Sequence, residues 1–128
     1  MGQSTPLKPT PFKPMALVVE DDENQRNMVA MLLEECEMGV VQCDSTEVAM
    51  EVLARIGPML SMLITDASPG GKFDGIELAR VAHEHYPDLR VIVSSGQDIG
   101  EQLPEQAMFM PKPLLPLNVL REAERSRH

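Results

Sequence analysis

The chain alternates between short runs of consecutive apolar residues and longer segments in which apolar residues recur every three or four positions. These runs lie, in chain order, in the segments MALVV, VVQC, MLIT, RVIVSS and MFM, of which MALVV is the longest without a polar residue. An unbroken run of aliphatic and β-branched residues is typical of a strand that is buried on both faces of a sheet. The pattern therefore predicts five strands separated by amphipathic segments.

The amphipathic segments predict helices, because apolar residues at positions i, i+3, i+4 and i+7 lie on one face of a helix. Residues 96–107 should hold a short fourth helix, although Gly100 and Pro104 interrupt it. The first predicted helix covers roughly residues 24–38, with Gly39 as its stop. The second follows a cap at Asp44-Ser45 and ends at Gly57-Pro58. The third runs from the end of loop 66–74 to about His85, and the last covers the final residues with Pro116 near its start.

Strands that alternate with helices indicate βαβ crossovers and a parallel sheet with helices on both faces. Five such units fill residues 15–128, which suits a single α/β domain. Residues 1–14, MGQSTPLKPTPFKP, contain four prolines and little to bury, so we expect a disordered or extended tail there.

The formal net charge of −9 limits the classes of molecule that the protein is expected to bind. Residues 1–14 contribute +2 through Lys8 and Lys13, which leaves −11 for the rest of the chain. A surface this acidic repels phosphate backbones and argues against direct nucleic-acid binding. No apolar stretch is long enough to span a bilayer, and Cys36 and Cys43 fit neither a metal spacing nor a disulfide framework. We expect a cytoplasmic protein without membrane insertion.

Polar and charged residues follow four of the predicted strands, at the edge where ligands bind in open parallel sheets. Two carboxylates about 4 Å apart repel by roughly 4 kcal/mol at an effective dielectric constant of 20, so clustered acids need a compensating cation. Mg²⁺ prefers oxygen ligands and binds one or two carboxylates beside a phosphate. The residues at these strand ends are Glu20-Asp21-Asp22, Asp66, Ser94-Ser95-Gly96 and Pro111-Lys112-Pro113.

The remaining residues favour a carboxylate nucleophile. His83 and His85 lie in a predicted helix and His128 is the last residue, so no histidine is well placed as a general base. The sequence contains no Gly-rich nucleotide-binding loop followed by Lys-Ser/Thr. Attack of Asp66 on phosphorus would form an acyl phosphate, which is a known form of covalent catalysis.

Over about residues 15–127 the sequence resembles the receiver domain of two-component response regulators, of the single-domain type. Five motifs carry the resemblance, in the expected order and at the expected strand ends: LVVEDDENQR, LITD, DGIELA, VIVSSG and FMPKP. The resemblance implies a flavodoxin-like, doubly wound (βα)5 fold with a five-stranded parallel sheet in the order 2-1-3-4-5. It also implies a signalling domain that phosphorylates and dephosphorylates itself, rather than an enzyme.

The resemblance assigns a role to each matching residue. Phe109 is at the aromatic switch position, with simple core packing as the competing interpretation, and Lys112-Pro113 is expected to be a cis peptide. Asp66 is implied to be the phosphoacceptor and a direct Mg²⁺ ligand, together with Asp21 as a direct ligand, Glu20 as a ligand through water and the Ser68 carbonyl as a further ligand. Ser95 and Lys112 are implied to contact the phosphoryl oxygens. Ser68 and Gln97 are at the positions that tune dephosphorylation, here towards an intermediate phosphoryl lifetime.

The implied partners are a sensor histidine kinase or histidine phosphotransfer protein as phosphoryl donor, and an unknown downstream protein. The face formed by helix four, strand five and helix five is expected to switch on phosphorylation. The same face would form any weak homodimer of an otherwise monomeric chain.

Pro69 departs from the family pattern, which usually has a hydrophobic residue three positions after the acceptor and proline four positions after it. Proline restricts the residue before it, here Ser68, so we expect a shifted loop and altered Mg²⁺ affinity. Two alternative functions stay open. One is a phosphorylation-independent interaction module with the same fold, and the other is a Mg²⁺ phosphohydrolase with Asp66 as nucleophile.

Overall fold

The computed structural model describes residues 13–69 and 74–126. Residues 1–12 of the predicted tail lie outside this range. The strands are β1 (Met15–Val19), β2 (Gly39–Cys43), β3 (Leu60–Asp66), β4 (Arg90–Ser95) and β5 (Met108–Pro111). The α-helices are α1 (Glu23–Glu35), α2 (Thr46–Ile56), α3 (Gly75–His85) and α4 (Pro116–Ser126).

The five strands form one sheet in the order β2-β1-β3-β4-β5, and every neighbouring pair is parallel. This arrangement confirms the predicted flavodoxin-like sheet and its strand order. Because all strands run the same way, their carboxyl ends meet at one edge, where the predicted site residues lie.

The central strands β1, β3 and β4 are buried on both faces, and alternate residues enter two separate hydrophobic cores. Leu17 and Leu63 pack in the core that contains residues of α2 and α3, whereas Val18 and Met62 pack in the core that contains residues of α1 and α4. Side chains two positions apart share a face of a strand, so an unbroken apolar run supplies both cores at once. This explains why the middle of each central strand is apolar on both faces.

The first helix ends earlier than predicted. It stops at Glu35, Glu37 adopts a left-handed conformation with φ of 63°, and Gly39 is already the first residue of β2. The amide of Met38 donates to the carbonyl of Leu33 over 3.1 Å, which is the 6→1 hydrogen bond of a Schellman motif. Burial of Met38 against Leu33 in one core stabilises this turn without glycine. The stop predicted at Gly39 was therefore wrong.

The predicted fourth helix is not formed. Within residues 96–107 the helical structure is a single 3₁₀ turn at Gly100–Gln102. Glycine disfavours a helix, and Pro104 lacks a donor and would clash with the preceding turn. Ile99 is buried and anchors the segment to the α2–α3 side of the sheet. The switch face expected from helix four, strand five and helix five therefore consists of a 3₁₀ turn, β5 and α4.

Other local features agree with the sequence. Ser45 caps α2 by accepting a hydrogen bond from the amide of Val48 over 3.3 Å, and α4 begins at Pro116. The Lys112-Pro113 peptide is cis, as expected. No helix in the described part of the chain has the length and apolar composition needed to cross a membrane.

Candidate functional site

Residues from four strand ends converge at the carboxyl edge of the sheet. Asp66 ends β3 and Ser95 ends β4, while Glu20 and Lys112 directly follow β1 and β5. A polar pocket of about 400 Å³ opens at the ends of β3, β4 and β5. Its lining consists of Asp66, Ser68, Ser95, Gly96, Gln97 and Lys112.

Lys112 is the cation of this site. Its Nζ donates to Glu20 Oε1 over 3.0 Å and lies 3.3 Å from Asp66 Oδ2. Burial by itself would lower the pKa of Lys112, but the hydrogen bond to Glu20 and the negative charge of Asp66 outweigh it and raise that pKa. The ammonium therefore stays charged between two carboxylates.

Glu20 is the most buried acid of the site, with 6% of its surface exposed. Its Oε2 accepts a hydrogen bond from the amide of Asp22 over 3.1 Å, and its backbone carbonyl accepts one from Arg26 over 2.9 Å. Burial raises the pKa of Glu20, while the hydrogen bonds from Asp22 and Lys112 partly oppose that rise. Its ionised carboxylate is thus held at an energetic cost, which a further cation would reduce.

Three carboxylates could share such a cation. One oxygen each from Glu20, Asp21 and Asp66 lies within 4.8 Å of the others. Glu20 is buried, Asp66 is half-buried and Asp21 is exposed, so the cluster opens towards solvent on one side. An all-oxygen donor set that leaves room for water fits Mg²⁺.

The backbone after Asp66 is fastened to the neighbouring strand. The amide of Ala67 donates to the carbonyl of Ser94 over 2.8 Å, and the amide of Ser68 donates to Asp66 Oδ1 over 3.3 Å. Pro69 is buried. The prediction of a shifted loop after Pro69 falls on residues 70–73, which lie outside the described residues, and the effect of Pro69 on metal affinity stays a prediction.

Ser95, Gln97 and Phe109 complete the set of residues suggested by the sequence. Ser95 Oγ accepts a hydrogen bond from the amide of Gln97 over 3.0 Å, which leaves the hydroxyl proton of Ser95 free to reach a ligand in the pocket. Gln97 is exposed at the pocket rim. Phe109 is half-buried and packs against the core on the α2–α3 side. It does not line the pocket.

Several residues that hold the backbone of the candidate site in place were not predicted from the sequence. The hydroxyl of Thr46 donates to Asp74 Oδ2, and the amide of Gly75 donates to the carbonyl of Ala67 over 2.9 Å. Arg26 ties the backbone after β1 to the end of β2. The dipeptide Asp74-Gly75 and Arg26 lie within the motifs that carry the resemblance, but Thr46 gave no signal.

The chain is similar to known receiver proteins. It is 31% identical over 114 residues to the response regulator receiver protein CpdR of Brucella abortus (strain 2308), covering 85% of this chain and 92% of that protein. Its fold matches a response regulator receiver domain protein from Clostridium thermocellum with a TM-score of 0.77 at 18% identity, covering 88% of this chain and 93% of that one. No protein-family model matches the chain.

A response regulator receiver protein from Sinorhizobium medicae WSM419 also superimposes with a TM-score of 0.77, at 20% identity over 91% of this chain and 98% of that one. The sheet order and the structural matches show a flavodoxin-like receiver fold. The sequence similarity to CpdR goes further than the fold. The chain belongs to the response regulator receiver family.

Proposed function

We propose that this receiver accepts a phosphoryl group on Asp66 from a phosphohistidine, in a Mg²⁺-dependent reaction, and thereby switches a protein-interaction face. The observation that supports this most directly is the position of Lys112. Its Nζ lies 3.3 Å from Asp66 Oδ2 at the edge of an open pocket, where it can hold the oxygens of an added phosphoryl group.

The chemistry is a single displacement at phosphorus. A carboxylate oxygen of Asp66 forms the new P–O bond as the P–N bond to the donor imidazole breaks, and the leaving imidazole takes up a proton. Lys112 and the hydroxyl of Ser95 then bind phosphoryl oxygens, so the charge that develops during transfer meets prepositioned donors. Hydrolysis removes the modification: a water oxygen forms a new P–O bond as the P–O bond to Asp66 breaks, which releases inorganic phosphate and a proton and restores the carboxylate.

Asp21 and Asp66 would hold Mg²⁺ directly, Glu20 through water, and the Ser68 carbonyl as a further ligand. Bound Mg²⁺ supplies positive charge that offsets the repulsion between the carboxylates and the incoming phosphoryl group. Ser68 and Gln97 flank the pocket and would set how readily water reaches the acyl phosphate.

The output would be a change in the surface around β5. Movement of Ser95 towards the phosphoryl group would free space for Phe109 to turn inward, which shifts the population of the face formed by the 3₁₀ turn, β5 and α4. A downstream protein, or a second copy of the chain in a weak homodimer, would bind this face. The donor would be a sensor histidine kinase or a histidine phosphotransfer protein in the cytoplasm.

Intact-mass spectrometry after incubation with acetyl phosphate tests the proposal. With Mg²⁺ the wild-type chain should gain one phosphoryl group, whereas Asp66→Ala should gain none. Asp88→Ala alters an exposed aspartate at the opposite end of the sheet and should label like the wild type. Equal labelling of Asp66→Ala and wild type would overturn the assignment.

The same experiment separates the alternatives. A phosphorylation-independent interaction module would show no Mg²⁺-dependent gain in mass but would still bind a partner. A phosphohydrolase would release phosphate from esters over many turnovers, and we expect none, because the position two residues after Asp66 is Ser68 rather than the second acid usual in such enzymes.

A further inference from the structure

The backbone that carries Asp66 is in close contact with the first residue of α3. A methyl group on Gly75 would lie 1.9 Å from the carbonyl oxygen of Asp66 and 2.7 Å from that of Ala67. Any side chain at position 75 would therefore push the backbone of Asp66 and Ala67 away from α3. The start of α3 thus packs directly against the backbone of Asp66 and Ala67 because Gly75 has no side chain.

Thr46 holds the residue directly before Gly75 by a hydrogen bond. It is buried with 5% exposure at the first position of α2, and its hydroxyl donates to Asp74, the residue directly before Gly75. The other oxygen of Asp74, Oδ1, is buried and has no partner among residues 13–69 and 74–126. Within that part of the chain, Thr46 is thus the donor on which the Asp74 carboxylate depends.

These contacts form a continuous connection to the proposed site. Thr46 holds Asp74, the amide of the adjacent Gly75 donates to Ala67, and the amide of Ala67 donates to Ser94 beside Ser95. We propose that Thr46, Asp74 and Gly75 are positioning residues that set the place of Asp66 and of the Ser68 carbonyl for Mg²⁺ binding and phosphoryl acceptance. This inference rests on the proposed function, and none of the three residues needs to touch the phosphoryl group.

The opposite end of the sheet offers matched controls. Tyr86 donates its hydroxyl to the carbonyl of Leu53 over 3.0 Å, and a methyl group on Gly57 would lie 2.3 Å from Cζ of Tyr86. Gly57 lies before the start of β3 and Asp66 at its end, which separates them by roughly 20 Å or more. Tyr86→Phe therefore matches Thr46→Val in the loss of one hydroxyl donor, and Gly57→Ala introduces a steric conflict with the side chain of Tyr86 where Gly75→Ala introduces one with the backbone of Asp66.

The experiment measures Mg²⁺ affinity by calorimetry and the rate of labelling by acetyl phosphate. Thr46→Val should reduce both by about tenfold and Gly75→Ala by about a hundredfold, since a displacement near 1 Å is enough for losses of that size. Thr46→Ser, which keeps the donor, should stay within about twofold of wild type. Tyr86→Phe and Gly57→Ala should lower the urea midpoint but leave affinity and rate within about twofold.

Amide hydrogen exchange gives a readout that does not depend on phosphorylation. Thr46→Val should accelerate exchange of the Gly75 amide, whereas Tyr86→Phe should accelerate exchange near the end of α3. If wild type takes up no phosphoryl group, the proposed function fails, but Mg²⁺ affinity and Gly75 exchange still test the positioning role. If Thr46→Val does not fold, Asp74→Asn replaces it and should lower affinity severalfold.

If Thr46 and Gly75 are positioning residues, substitutions at these two positions should lower Mg²⁺ affinity, whereas the control substitutions at the opposite end of the sheet should not. If Thr46→Val and Tyr86→Phe changed Mg²⁺ affinity equally at matched stability, the contact would be structural only and the inference would be wrong. An unchanged affinity in both Thr46→Val and Gly75→Ala would overturn it as well.

Discussion

Lys112 donates to Glu20 over 3.0 Å, although the two residues are 92 positions apart in the chain. They follow β5 and β1, which are not neighbours in the sheet, because β3 and β4 lie between them. The ammonium therefore reaches across the candidate site to the acid on its far side and passes Asp66 on the way. This pairing makes stability and site chemistry depend on the same charges.

Lys112→Met should destabilise the metal-free domain by about 2 kcal/mol. Removing one partner of a buried pair costs about 3–5 kcal/mol, and we expect less here because 21% of the Lys112 side chain remains exposed. Urea unfolding without divalent metal measures the change, with Lys13→Met as an exposed-lysine control. Equal destabilisation by the two variants would contradict this assignment.

Glu20→Gln should stabilise the metal-free domain near neutral pH and weaken its binding of Mg²⁺. Burial raises the pKa of Glu20 above its ordinary 4.5, so folding favours the protonated carboxyl. The stability that this group contributes is present below pH 4.5 and is lost as pH rises through the raised pKa. Wild type should therefore lose stability relative to Glu20→Gln between pH 4.5 and neutrality, measured by urea unfolding at several pH values. Parallel curves would refute the assignment.

Much of the fold was predictable from the sequence, because each central strand contains consecutive apolar residues that supply side chains to both cores. The end of α1 was not readable. Its Schellman turn uses Glu37 where glycine is usual, and burial of Met38 outweighs the cost of the left-handed conformation. The predicted fourth helix failed because Gly100 and Pro104 outweighed a weak apolar pattern, which left a single 3₁₀ turn.

The position of a candidate site residue was predictable where it lies at the end of a strand or directly after it: Asp66 and Ser95 end β3 and β4, and Lys112 follows β5. Contacts made by a helix face were not predictable. Thr46 and Asp74 are 28 positions apart, and neither apolar periodicity nor strand ends relate them. The partners of Glu122, a buried acid in α4, were hidden for the same reason.

Arg26→Met should weaken Mg²⁺ binding severalfold and destabilise the domain by about 1–2 kcal/mol. Arg26 donates through Nη1 to the carbonyl of Glu20 over 2.9 Å and through Nε to Gln42 over 3.1 Å. Without it, the backbone that presents Glu20 and Asp21 loses a link to β2. Titration calorimetry measures the affinity.

Gln42→Ala is the matched control for Arg26. It removes the exposed partner only, so it should change stability by no more than about 0.5 kcal/mol and leave Mg²⁺ affinity unaltered. If Gln42→Ala weakened Mg²⁺ binding as much as Arg26→Met, the contact with the Glu20 carbonyl would not be the decisive one.

Arg90→Met should destabilise the domain by about 1–2 kcal/mol without changing phosphoryl uptake. Glu122 is buried in α4, and its carboxylate accepts hydrogen bonds from Arg90 over 3.3 Å and Arg125 over 3.2 Å. Loss of Arg90 leaves the buried Glu122 carboxylate with Arg125, whose side chain is 55% exposed. Arg125→Ala, in contrast, should lower the free energy of unfolding by at most about 0.5 kcal/mol. Because Arg90 begins β4 and Ser95 ends it, the two lie about 16 Å apart and the site should be unaffected. Urea unfolding together with acetyl phosphate labelling tests both parts. Slower labelling by Arg90→Met at unchanged stability would show that this cluster influences the site instead of the packing of α4.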